Sequence, residues 1–187
     1  MIRHCKYLIT LVLLLTLGTV SADDYQDTMK VFKDAGESGA FFDQAYGYAM
    51  FPTVGKAGFG IGGAYGDGRV YKQKKHIGNT SVSQVTIGFQ LGGQAYSQII
   101  FFQDKRALDE FSSGNFEFGA QAAAVAITAG ASASASTTGS SATASGGKNN
   151  AETAGKYYKG MATFTVAKGG LMYEASIGGQ KFSYSAK

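Results

Sequence analysis

Lys56-Ala57-Gly58-Phe59-Gly60-Ile61-Gly62 alternates glycine with larger residues, a period of two that belongs to an extended strand rather than a helix. Gly66-Asp67-Gly68 follows with the composition of a turn, and Arg69 to Gln73 reads as a returning strand, so this stretch predicts a β-hairpin. After a polar connection over residues 74–83 the period resumes. Val85, Ile87, Phe89 and Leu91 fall on one face, and Thr86, Gly88, Gln90 and Gly92 on the other.

Toward the C-terminus, residues 97–102 form an apolar strand, and Asp104 stands where it would cap a short helix over 105–111 that closes at Ser112-Ser113-Gly114. Phe116, Phe118, Ala120 and Ala122 alternate again. Residues 129–150 are almost entirely Ala, Ser, Thr, Gly and Asn, too poor in apolar surface to offset the entropy of ordering, and predict a long loop. Strands over 160–167, 171–177 and 181–184 close the chain, with turns at Gly169-Gly170 and Gly178-Gly179. Toward the N-terminus, Tyr25, Met29 and Phe32 make the apolar stripe of a helix over 24–35. Gly36 to Gly39 interrupts it before a short helix over 40–46. The expected class is α+β: mainly antiparallel β, as a twisted sheet, barrel or sandwich, with short N-terminal helices and one short helix in the middle.

The extreme N-terminus has the layout of a cleaved export signal. Arg3 and Lys6 form a basic head, residues 7–20 an apolar run, and Val20-Ser21-Ala22 a small-residue exit before Asp23. We expect residues 1–22 to be removed and residues 23–187 to form a single domain, exported to the periplasm of a Gram-negative cell or otherwise secreted. The only cysteine, Cys5, precedes the apolar run, so it does not mark a lipoprotein. Cleavage also lowers the formal charge of +4 by two, which leaves no case for nucleic acid.

Catalytic parts are scarce. Beyond the leader the one histidine, His76, lies in a polar connection and reads as solvated; Asp109 and Glu110 read as the wet side of a short helix. No nucleophile triad, Cys/His metal set or cofactor motif emerges, so the expectation is a non-enzyme with no cofactor or metal. Gly58-x-Gly60-x-x-Gly63 matches a dinucleotide pattern only formally, because no helix opens after it. Those glycines are assigned instead to a strand face approached closely by another backbone. The densest positive charge is Arg69, Lys72, Lys74 and Lys75; with Lys56 these are the candidate contacts to anionic phospholipid. The leading helix, with Asp23, Asp24, Asp27 and Asp34 against Lys30 and Lys33, is acidic and should pack on the sheet.

Taken in order, the blocks Tyr46 to Gly68, Thr86 to Gln94, Ile99 to Phe102 and Ala107 to Phe111 resemble the SYLF domain family. Lys168-Gly-Gly-Leu-Met-Tyr-Glu-Ala-Ser-Ile-Gly-Gly is similar to the family's closing motif, with Gly170, Leu171, Ser176 and Gly179 in register and Ala175 in place of a glycine. The chain departs from the family in having no Trp and in its acidic, not basic, leading helix. The resemblance implies binding without catalysis: a lipid-binding module on anionic phospholipid of the cell envelope, in a family also labelled actin regulators. Export removes the chain from actin. The alternative is an envelope structural or protein-interaction domain without lipid specificity.

Overall fold

The computed structural model describes residues 22–114, 116–118, 125–127 and 157–187; the expected leader (all but Ala22) and the 129–150 loop lie outside them. Three long strands dominate: β1 (Gly47–Lys72), β2 (Lys75–Phe102) and β5 (Met161–Ala186). Two short strands, β3 (Glu117–Phe118) and β4 (Val125–Ile127), pair with β5. The sheet runs β1-β2-β5-β3; β4 joins β5 in parallel and every other pairing is antiparallel. The mainly antiparallel α+β expectation holds, but where the sequence predicts many short strands the chain forms three long ones.

The predicted turn at Gly66-Asp67-Gly68 does not exist; these residues continue β1, paired with Val82, Ser81 and Thr80. The reversal comes at Gln73-Lys74, between the paired residues Lys72 and Lys75. Both turn residues take positive φ, 49° and 66°, the conformation of a two-residue hairpin loop normally supplied by Asn and Gly. The expected polar connection over 74–83 is therefore the start of β2. Gly169-Gly170 and Gly178-Gly179 are likewise in-strand, paired with Gln94, Ala95, Thr86 and Val85.

Strands of this length must bend to bury their faces, and β1 folds back over itself. A Cβ built on Gly66 would lie 2.6 Å from Thr53 O, one on Gly68 2.6 Å from the Phe51 ring and 2.7 Å from Met50 O, and one on Gly47 2.5 Å from Tyr71 O. These contacts are all centred on residues 59 and 60. There Gly60 adopts φ 72°, and the register shifts so that Phe59 pairs with Leu91 but Ile61 with Ile87. β2 bends beside it, with Gly92 at φ 125° paired to Gly58. Positive φ of this kind costs a Cβ-bearing residue, so the bend sits where glycine permits it.

The bend gives each strand two arms and the molecule two cores. Between the arms, Ala49, Phe51, Val54, Ile100 and Phe102 of the first meet Ala64, Val70, Val82 and Phe182 of the second. Helix α4 (Lys105–Phe111) plugs this core through Leu108 and Phe111, whose ring lies 4.9 Å from Phe102 and 5.2 Å from Phe182. Asp104 caps it as expected, accepting from Ala107 N–H at 2.8 Å. On the outer face of the first arm, Tyr48, Met50, Ile99, Phe101 and Phe164 are covered by α1 (Ala22–Asp34) and α3 (Phe41–Gln44). α1 buries Tyr25 and Phe32 and half-buries Met29, the predicted stripe, and Phe41 packs 5.5 Å from Phe101 and 5.0 Å from Phe164. Gly36–Gly39, expected to interrupt, forms a short helix of its own, α2.

Candidate functional site

Glycine-rich segments of β1 and β2 meet at the bend, and the side chains between the glycines face outward. Phe59 is 83% exposed, Ile61 67%, Val85 66%, Ile87 68%, Leu91 51% and Tyr65 55%. Cross-strand register makes this one surface: Phe59 beside Leu91, Ile61 beside Ile87, Gly63 beside Val85. No charged residue occurs from Ala57 to Gly66 or from Ile77 to Gln103. Farther along the same face toward the hairpin turn the surface becomes polar, with Ser81 and Ser183 hydroxyls 2.7 Å apart. A contiguous, uncharged apolar apex of this kind is what soluble surfaces avoid unless something covers it.

An open groove lies just short of the apex, where residues 55–57 of one arm of β1 face 63–65 of the other. Its lining includes Gly55, Lys56, Gly63, Tyr65 and Gln94. Lys56 is half-buried and pairs in register with Gln94. The Tyr65 hydroxyl donates to Asp67 Oδ1 at 2.8 Å, which raises its pKa.

The other sequence-predicted cations gather at the opposite pole. Arg69 lies over the Tyr25 ring, 4.0 Å from its centroid, and Lys72 Nζ stands 5.0 Å from the Tyr46 ring; Lys74 and Lys75 are exposed at the turn. Lys72 and Lys75 are direct cross-strand partners, a like-charge pairing that weakens the hairpin. Burial pushes the Tyr25 phenol up to about 12, against the opposing pull of Arg69, and burial pushes Tyr48 up to about 12 as well. The structure thus brings Arg69, Lys72, Lys74 and Lys75 together and sets Lys56 apart beside the apex. Some dozen residues separate Phe59 from the turn, about 40 Å of extended chain.

The apex itself escapes sequence reasoning. Periodicity shows that Val85, Ile87 and Leu91 share a face but not that the face is bare; the signal available was the run from Ile77 to Gln103 without one charge. The glycine assignment also needs correction. A Cβ on Gly60 would meet nothing within 4 Å, and one on Gly63 only Gln84 O at 3.6 Å. Close backbone approach occurs instead at Gly66 and Gly68.

His76 is half-buried in β2, not in a loop, and its Nε2 lies 3.0 Å from Gly78 O and 3.1 Å from Asn79 Oδ1. Asp109 and Glu110 pair with Lys105 and Arg106 on the exposed side of α4. Among the described residues no group of His, Cys, Asp or Glu is arranged to hold a metal ion, and no helix is long and apolar enough to cross a membrane.

The profile of a family described as Las17-binding protein actin regulator matches residues 83–186. The chain is also similar to Beta cell expansion factor A of Aeromonas veronii, at 28% identity over 158 residues covering 82% of this chain and 51% of that protein. It therefore spans about half the length of that relative. No solved structure matches.

Proposed function

Because this chain belongs to the SYLF family, the one described as Las17-binding protein actin regulator, we propose that it is an exported, non-enzymatic module that binds phospholipid of the cell envelope. The observation that carries the reading is the apex: six large apolar or aromatic side chains, each more than half exposed, on a convex bend without a charged residue between them. Hydrocarbon accommodates such a convex surface without needing a matching shape, and transferring one such side chain from water is worth about 1.5–3 kcal/mol when burial is complete. Lys56 stands beside the apex and supplies attraction to anionic headgroups. Arg69, Lys72, Lys74 and Lys75 offer a second, weaker contact: Arg69 and Lys72 are held over aromatic rings, and this pole lies beyond several Debye lengths of a bilayer touching the apex.

Vesicle flotation tests the reading. The protein should float with vesicles of phosphatidylglycerol and phosphatidylethanolamine, and less with phosphatidylcholine; failure to float with either removes it. One observation favours a second reading, a protein-interaction domain. β1, 26 residues long, pairs among the described strands with β2 alone, leaving an edge that a partner strand could extend. Stoichiometric recovery of one protein partner without lipid would support that alternative.

A further inference from the structure

We propose that the groove at the edge of β1 is a binding site for one phosphodiester headgroup, held by Lys56 and Gln94 while the apex lies among acyl chains. This deepens the lipid reading and rests on it. In register, Lys56 and Gln94 are direct partners, so an ammonium and a carboxamide stand side by side on adjacent strands. Such a pair offers charge and directed N–H donors to a phosphate oxygen. Gly55 and Gly63, on the two facing arms of β1, border the groove. Tyr65, whose hydroxyl donates to Asp67 Oδ1, also borders the groove.

Depth makes the groove and the apex parts of one site. Lys56 precedes Phe59 by three residues on one strand, a rise of about 10 Å. Interfacial elements sink their apolar faces about 5–10 Å into the boundary between headgroups and acyl chains. With Phe59 and Ile61 at that depth, Lys56 and Gln94 come level with the phosphates. The same chemistry would recognise inorganic phosphate, so the test separates the two sources.

Dihexanoyl-phosphatidylglycerol, kept below its micelle concentration, is titrated into the exported, leader-free protein by calorimetry, alongside inorganic phosphate; flotation on phosphatidylglycerol vesicles is measured in parallel. The proposal predicts saturable binding of the short-chain lipid at one per chain, little heat with inorganic phosphate, and weakening by about tenfold or more in Lys56→Gln, with flotation through the apex largely kept. Lys56→Arg should retain binding and serves as the folded control. Equal saturation by inorganic phosphate would make this a free-phosphate site and overturn the headgroup assignment. Flotation without saturable short-chain binding, or with binding unchanged in Lys56→Gln, would overturn the groove and leave the lipid reading standing. Loss of both flotation and saturable binding in the wild-type protein would remove the two together.

Discussion

Adding one methyl group at Gly68 should destabilise the fold far more than adding it at Gly63, although the two glycines lie five residues apart on the same strand. The new Cβ at Gly68 would sit 2.6 Å from the Phe51 Cδ1 and 2.7 Å from Met50 O, inside van der Waals contact by most of an ångström and partly against backbone. The arms of β1 must separate locally to admit it, and overpacking of this kind costs about 1–3 kcal/mol. At Gly63 the new Cβ meets only Gln84 O at 3.6 Å, ordinary contact, and less backbone freedom in the unfolded chain should stabilise by about 0.4–1 kcal/mol. For a domain of this size each kcal/mol moves the melting midpoint by about 2–4 °C. Gly68→Ala should therefore melt several degrees below wild type and Gly63→Ala level with or above it, in thermal and urea unfolding followed by circular dichroism. Equal losses at the two positions would refute the folding of β1 onto itself.

Other perturbations probe separate parts of the structure. Lys74→Gly relieves a residue held at φ 66° and removes one of three clustered lysines, so it should raise stability by about 0.5–1 kcal/mol in urea titration. Asp104→Ala removes the cap accepting from Ala107 N–H and should cost about 1 kcal/mol by the same measurement. Burial holds the Tyr25 and Tyr48 phenols at about 12, above the unfolded value of 10.0. The folded state therefore holds these protons more tightly. Their contribution is intact below pH 10 and is lost as pH rises from 10 toward 12, by about 2 kcal/mol for each phenol. Tyr48→Phe should flatten that alkaline decline in unfolding experiments at stepped pH. Neutralising Lys72, Lys74 and Lys75 to Gln should weaken vesicle binding modestly and only at low salt, as flotation at two ionic strengths would show.

Much of the fold was legible in the residues because a period of two survives wherever a strand has one covered face. Tyr25, Met29 and Phe32 marked α1, and Asp104 marked the start of α4, since a cap and a stripe are local properties. The failures came where glycine serves distance instead of direction. Gly66-Asp67-Gly68 has turn composition, yet its glycines are small so that β1 can lie against Thr53 and Phe51. The actual turn, Gln73-Lys74, carries none of the usual turn residues, and its composition reads as the end of a strand and the start of a polar connection. The site divides the same way. Lys56 and the hairpin cations could be named from charge alone, whereas the apex follows from a bend that local sequence does not announce, and only the bend decides that Phe59, Ile61 and Ile87 face outward.

The central claim is that this apex enters lipid. The chain has no tryptophan, so Phe59→Trp places a single fluorophore there, at a position 83% exposed and tolerant of a larger ring. Asn79→Trp, exposed on the polar stretch of β2, is its counterpart. On vesicles containing phosphatidylglycerol with brominated acyl chains, the account predicts a blue shift and strong quenching for the residue 59 probe and neither for the residue 79 probe. Emission at residue 59 unchanged by vesicles, or quenched no more than at residue 79, would contradict it.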